Sequence, residues 1–315
     1  MKIRLLLGML FVSLCLSACS KQRQAAPDGP GDQSSGNDPA TKPAPKPQKP
    51  RIPSSLSVEL VEDVKMNLTL VPAGEFLMGG EAPPAELAAK FQRYGAAAGH
   101  YAAEQPQRKV TISKPFYMGR WEVTRAEWTA LMKTRPWEDK KCDKPNSGNI
   151  ANHISWDQAA EFCKAMSDKT GLKVALPSEA QWEYACRAGS KSAFSFGDDD
   201  SRLKRYAWYA ANTLIANEAY PHTAGRKTPN RWGLFDMHGN AAEWCGDWYD
   251  AKFYEKAPAA DPLNSTKTEH RVLRGGQFGE YPDSCRSAYR AKAKPTATRC
   301  GYGFRVVIQV EPQKN

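Results

Sequence analysis

The residues best equipped for chemistry gather in Arg274–Arg290, RGGQFGEYPDSCRSAYR, where one cysteine, Cys285, stands among glycines, arginines and aromatics. A thiol in such a setting is either part of a reactive thiol site or half of a structural disulfide. Of eight cysteines, Cys15 and Cys19 fall in an apolar N-terminal leader, which leaves six: Cys142, Cys163, Cys186, Cys245, Cys285 and Cys300. An even number in an exported domain argues for disulfides. No CxxC or HxxxH spacing occurs, so a metal cluster built on cysteines is not expected. The five histidines, among them His153, His222 and His238, show neither triad nor ligand spacing. Nucleophile elbow, phosphate loop and paired glycosidase carboxylates are all missing from the sequence.

The leader itself is MKIRLLLGMLFVSLCLSAC. Lys2 and Arg4 precede an apolar run, Leu5 to Leu16, too short to span a bilayer and stay there. Small residues lead into Cys19, a combination that resembles a bacterial lipoprotein signal, cleaved at residues 1–19 and acylated on Cys19. The alternative is an ordinary secretory signal. Ser20, with no Asp after the cysteine, points to an exported chain lipid-anchored in the outer membrane, facing periplasm or cell surface. Residues 20–56 are rich in Pro, Gly, Ser and Lys with almost nothing to bury, which predicts a disordered tether. The remainder, 57–310, reads as one compact unit or two closely packed lobes, at the upper end of length for a single domain and without an internal repeat, and 311–315 read as a tail. Net charge is +10. A basic surface could favour anionic lipid or polymer, but the Lys and Arg residues are scattered without a nucleic-acid motif, which reads as a solvated surface with no nucleic-acid partner expected.

These candidate residues need elements to position them. Leu68–Val71, Glu75–Met78 and Lys109–Ile112 read as strands, and Gly301–Ile308 as a closing strand. Glu81–Tyr101 is Ala-rich, a surface helix or mobile insertion. Three helix starts share one device: Thr124 with Glu127, Ser155 with Gln158, and Ser178 with Gln181, each a hydroxyl and an acid or amide three positions on. The second helix puts Trp156, Ala159, Ala160, Cys163 and Met166 on one side, with Gly171 at its exit. The third puts Trp182, Ala185 and Cys186 together. Cys163 and Cys186 therefore face inward, where they pair or simply pack. After Ser190, Trp208, Trp232, Trp244 and Trp248 are spread through Gly- and Asn-rich sequence with little periodicity.

The blocks VPAGEFLMGG, EVT, SWDQAAEFC, LPSEAQWEYACRAG, PNRWGLFDMHGNAAEW, RGG and GFR occur in this order over Leu68–Val310. This pattern resembles the formylglycine-generating enzyme, or sulfatase-modifying factor, family. The resemblance implies an α+β fold related to the C-type lectin type and rich in irregular loops. It also implies an oxidase that converts a sulfatase cysteine in Cys-x-Pro-x-Arg to formylglycine with O2 and Cu(I), held by two thiolates after the RGG block. Soft thiolates suit that ion. Here the first copper position falls on Glu280, a hard oxygen donor, and the second on Cys285.

Counted backward from GFR, Cys285 instead lies close to a family cysteine paired with that of the EYACR helix, so the resemblance favours a Cys186–Cys285 disulfide. It leaves Cys300 as a displaced partner for Cys163, and Cys142 with Cys245 over. Asp236, Gly239, Ala241 and Glu243 match a calcium loop of the family; oxygen donors around a glycine turn suit Ca2+. The alternative is that these carboxylates cap backbone N–H groups. Asn212 matches one ligand of a second calcium site whose acidic partners are not recognisable. Arg274, Arg286 and Arg290 either line a peptide groove, as arginines after RGG do in the family, or are buried partners of Glu179 or Glu183. Two functions follow: a membrane-tethered binding or assembly module with a protein or peptide partner in the envelope, or a working copper oxidase using Cys285.

Overall fold

Residues 52–144 and 148–310 are described by the structure, a computed structural model of the chain. The expected leader with Cys19, most of the tether and the tail 311–315 lie outside the described residues. Within them, no helix is long and apolar enough to cross a membrane.

Strand β1 (Ser55–Val61) starts inside the stretch assigned to the tether and pairs antiparallel with β2 (Val64–Val71). Its alternation buries Val58 and Leu60 on one face, the period-two signature of a half-buried strand. β3 (Gly74–Met78) pairs with β4 (Arg108–Ile112), close to the expected bounds. Next come β5 (Phe116–Gly119) and the two-residue β6 (Val174–Ala175). The second half adds β7 (Ala242–Trp248), β8 (Arg271–Arg274), β9 (Ala291–Ala293), β10 (Tyr302–Gly303) and β11 (Val307–Gln309). The expected closing strand is thus two pieces, β10 and β11, divided by Phe304-Arg305-Val306. The strands form a five-stranded sheet in the order β1-β2-β5-β11-β6, a four-stranded sheet β10-β7-β8-β9, and the β3–β4 pair.

The Ala-rich stretch holds a short helix, α1 (Pro84–Lys90), followed by single 3-10 turns. The three capped helices are α2 (Arg125–Met132), α3 (Trp156–Thr170) and α4 (Glu179–Arg187). In all three the hydroxyl accepts from the third backbone N–H and the acid or amide takes the cap N–H, for example Thr124 N to Glu127 Oε2 at 2.7 Å. Gly171 ends α3 with φ of 71°. α3 buries Ala159, Phe162, Cys163 and Met166, with Trp156 and Ala160 only partly covered.

α4 is buried well beyond its inward cluster of Trp182, Ala185 and Cys186. Eight of its residues are buried, Glu179, Glu183 and Arg187 among them. A helix sunk on its polar side as well needs partners for its charges, and the second half of the chain supplies them.

Candidate functional site

β8 delivers Arg274 and then turns through Gly275 (φ 92°) and Gly276 (φ 72°). Both glycines are required twice over. Their left-handed backbone disfavours a side chain, and there is no room for one. A Cβ on Gly275 would lie 3.0 Å from the Trp182 ring, and one on Gly276 would lie 2.9 Å from Cys285 Sγ and 2.9 Å from the Ser284 carbonyl. The RGG block therefore packs the Glu280–Cys285 loop against its own root.

The three arginines are buried ion-pair partners, and Arg286 also reaches the wall of a cavity of about 630 Å³. Arg274 Nη2 donates to Glu183 and Arg290 grips Glu179 through Nε (2.7 Å) and Nη2 (2.8 Å). Arg286 takes Glu104 in a fork at 2.9 and 2.6 Å, with its guanidinium 4.9 Å from the Tyr101 ring centroid. Glu183 also accepts the Gly79 N–H and Arg187 Nε. This network closes the charge account of α4 and ties the Ala-rich insertion to the loop. Glu104 escaped the sequence reading because it is a lone acid in an alanine stretch.

The cysteine pairing differs from expectation. The disulfide is Cys142–Cys300, with Cα atoms 6.0 Å apart, while Cys163, Cys186, Cys245 and Cys285 are free and buried. Neither the Cys186–Cys285 nor the Cys163–Cys300 bridge forms, and Cys245 has no partner in Cys142. Two inward-facing sulfurs need not face each other. Cys186 Sγ looks onto the Met237 carbonyl, the His238 ring and Ser287 Oγ. Cys285 packs instead with Phe194, Leu203, Ala207 and Tyr209. His238 stands between these regions. Its Nδ1 donates to the Cys285 carbonyl at 2.9 Å and its Nε2 accepts from Ser195. Burial pushes this imidazole down to about 4, so it is neutral and anchors the loop.

Copper(I) does not fit the residues at the two positions. Burial, aided by the carboxylates of Glu280 and Asp283, raises the Cys285 thiol well above its ordinary value, so the protonated form dominates where a thiolate is needed. Glu280 is half-buried, accepts from the Gln277 side-chain amide at 3.2 Å, and is pushed up to about 7 by burial.

The expected calcium loop also fails the fit as arranged. Both oxygens of Glu243 are taken by Arg305, at 2.6 Å each, and Trp182 Nε1 donates to the same carboxylate. Asp236 Oδ2 accepts the Gly225 N–H at 2.7 Å. The other Asp236 oxygen and Glu122 Oε2 are buried without a hydrogen-bond partner. Burial first, and the neighbouring carboxylates with it, raise both acids, Asp236 to about 6. Arg305 thus holds the position a cation would share, beside two carboxyl groups whose charged forms burial disfavours. Asn212, in α5 (Ala210–Thr213), spends its side chain on the Tyr209 N–H and the Ala207 carbonyl, which leaves it capping its own turn.

The outer side of the Glu280–Cys285 loop is apolar. Tyr281 is 46% exposed and stacks on Tyr94 at 4.8 Å. With Tyr209, Leu214 and Ile215 it borders a cavity of about 430 Å³. Ile215 is 82% exposed, an unusual position for a large aliphatic side chain beside another apolar group.

Residues 59–310 match the model of the sulfatase-modifying factor enzyme 1-like domain. The formylglycine-generating enzyme of Streptomyces coelicolor is 31% identical over 164 residues, 49% of this chain and 50% of that protein. The chain thus matches half the length of that relative. Among solved structures, PvdO from Pseudomonas aeruginosa superposes with a TM-score of 0.67 at 26% identity, covering 83% of this chain and all of that one (100%). Treponema denticola variable protein 1 gives a TM-score of 0.68 at 22% identity over 82% of this chain and 100% of its own, a likeness of fold.

Proposed function

The chain belongs to the sulfatase-modifying-factor family, and on that premise we propose that it is a binding or assembly module of the cell envelope that keeps the fold without the copper chemistry. One observation carries this: of the two copper positions implied by the resemblance, one is the carboxyl of Glu280 and the other a buried, protonated Cys285. A single protonated sulfur beside an oxygen donor is a poor site for a soft monovalent ion. The partner is a protein or peptide that meets the apolar rim around Tyr281, Leu214 and Ile215. Cys19 is the lipid attachment point that holds the module at the outer membrane.

The test is to incubate the oxidised protein with Cu(I), O2 and a Cys-x-Pro-x-Arg peptide and follow the peptide by mass spectrometry. No formylglycine is expected, and the Cys285→Ser variant should behave like the parent. Conversion that disappears in Cys285→Ser would establish the oxidase instead. For the anchor, Cys19→Ser should shift the protein from the membrane fraction to the soluble one; unchanged membrane association would remove lipidation from the proposal.

A further inference from the structure

Cys142, Cys300 and His153 offer ligand atoms that all lie within 4.8 Å of one another. His153 Nε2 is 3.2 Å from Cys142 Sγ. Spacing along the chain does not reveal this, because the histidine is 11 residues from Cys142, and Cys300 is 158 residues from Cys142. From these positions we infer that reduction of the Cys142–Cys300 disulfide creates a binding site for a thiophilic cation of the Zn2+ class, with two thiolates and one imidazole as ligands.

The geometry is close to what such an ion needs. Zn–S bonds of about 2.3 Å and Zn–N bonds of about 2.0 Å at a tetrahedral centre put sulfur and nitrogen roughly 3.5 Å apart. A shift of a few tenths of an ångström from the observed 3.2 Å meets the sulfur–nitrogen distance, and the two sulfurs, bonded to each other in the disulfide, must separate to roughly 3.8 Å once reduced. With three protein ligands the fourth position is left to water or an outside donor.

The ligands do not depend on the disulfide to stay in place. On one side, Trp137 is buried 5 residues before Cys142, the Arg125 guanidinium lies 5.1 Å from its ring centroid, and Arg125 pairs with Asp143 at 2.9 Å. On the other, the Ala242 N–H donates to the Gly301 carbonyl and the Tyr302 N–H to that of Arg299. His153 is tied to this second strap, its own N–H donating to the Arg299 carbonyl at 3.2 Å. Its backbone is left-handed, with φ of 57°, a conformation a non-glycine residue adopts only when its surroundings impose it. Cys142 is 3% exposed while Cys300 and His153 are half-buried, so a reductant has access from one side.

The steps balance simply. A dithiol reductant gives two electrons and two protons to the disulfide and becomes a disulfide itself. Binding of Zn2+ then displaces the two thiol protons as the two S–Zn bonds form. In the oxidised state both sulfurs are bonded to each other and the site does not exist, so cation capture is gated by redox state.

The experiment uses the whole chain, reduced with dithiothreitol, freed of reductant without air, and titrated with Co2+ and then Zn2+. A thiolate-to-cobalt charge-transfer band should appear with a single Co2+ bound, and Zn2+ should displace it. The oxidised protein should show no band. His153→Gln leaves the disulfide intact and should weaken the reduced protein's affinity at least about tenfold, as loss of a ligand does. The Cys142→Ser/Cys300→Ser variant retains Cys163, Cys186, Cys245 and Cys285 and should lose the band, with near-ultraviolet circular dichroism reporting its fold. Three results would each overturn the inference: a folded, reduced protein without the band, a band that persists in the double variant, or loss of the fold on reduction.

Discussion

Replacing Gly276 by alanine tests the close packing of the Glu280–Cys285 loop on its root, and Gly171 supplies the control. The two glycines have nearly the same backbone, φ of 72° and 71°. They differ in space. An added Cβ at Gly171 meets nothing within 4 Å, whereas at Gly276 it meets Cys285 Sγ and the Ser284 carbonyl at 2.9 Å and Cys285 Cα at 3.2 Å. The left-handed term, roughly 1–2 kcal/mol, is common to both, as is the offset of about 0.4–1 kcal/mol from a stiffer unfolded chain. Gly171→Ala should therefore cost roughly 0–1.6 kcal/mol. Gly276→Ala adds an overpacking term of roughly 1–3 kcal/mol, because two of the three obstructing atoms are backbone and cannot rotate away. At roughly 2–4 °C per kcal/mol for a domain of this size, its Tm should fall below that of Gly171→Ala by about 2–12 °C. Urea unfolding and calorimetry of the two variants measure this directly. Removing the sulfur with Cys285→Ala should recover part of the difference in a double-mutant cycle, and the carbonyl should keep the rest. Equal stability of the two glycine variants would refute the close approach and with it the placement of Cys285.

Other outcomes are open to simpler assays. Glu280 has its carboxyl raised to about 7; an acid with a raised folded value contributes stability that is complete below about 4.5 and is lost as pH climbs through about 7, so Glu280→Gln should gain Tm relative to the parent between pH 5 and pH 8. Glu104→Gln leaves Arg286 buried without its fork and should cost roughly 3–5 kcal/mol, with faster proteolysis of residues 81–104; an unchanged digestion pattern would mean the pair does not hold the insertion. Ellman titration should find Cys163, Cys186, Cys245 and Cys285 unreactive in the native protein and four thiols, besides any from Cys15 and Cys19, after unfolding without reductant. A count of zero or six would contradict the pairing.

How much of this was legible in the sequence depended on range. The three helix caps were readable because donor and acceptor sit three residues apart, so the local chain alone sets their geometry. The family blocks led correctly to the α+β fold, and the glutamate at position 280 was visible by counting from RGG. That Arg274 and Arg290 are partners of Glu183 and Glu179 stood as one of two alternatives, and distances of 91 and 111 residues along the chain left the choice to the folded structure. The same holds for α4, whose apolar cluster is local but whose buried charges depend on partners from the second half of the chain.

The sequence by itself determined the three capped helices, the inward turn of Cys163 and Cys186, and that a carboxyl replaces one thiol after RGG. Only the tertiary structure decided which sulfur meets which, that Glu243 belongs to Arg305, and that His153 stands against a disulfide. Local hydrogen bonds are fixed by spacing along the chain, whereas pairings between distant segments depend on how the sheets and loops bring them together, and spacing carries no record of that.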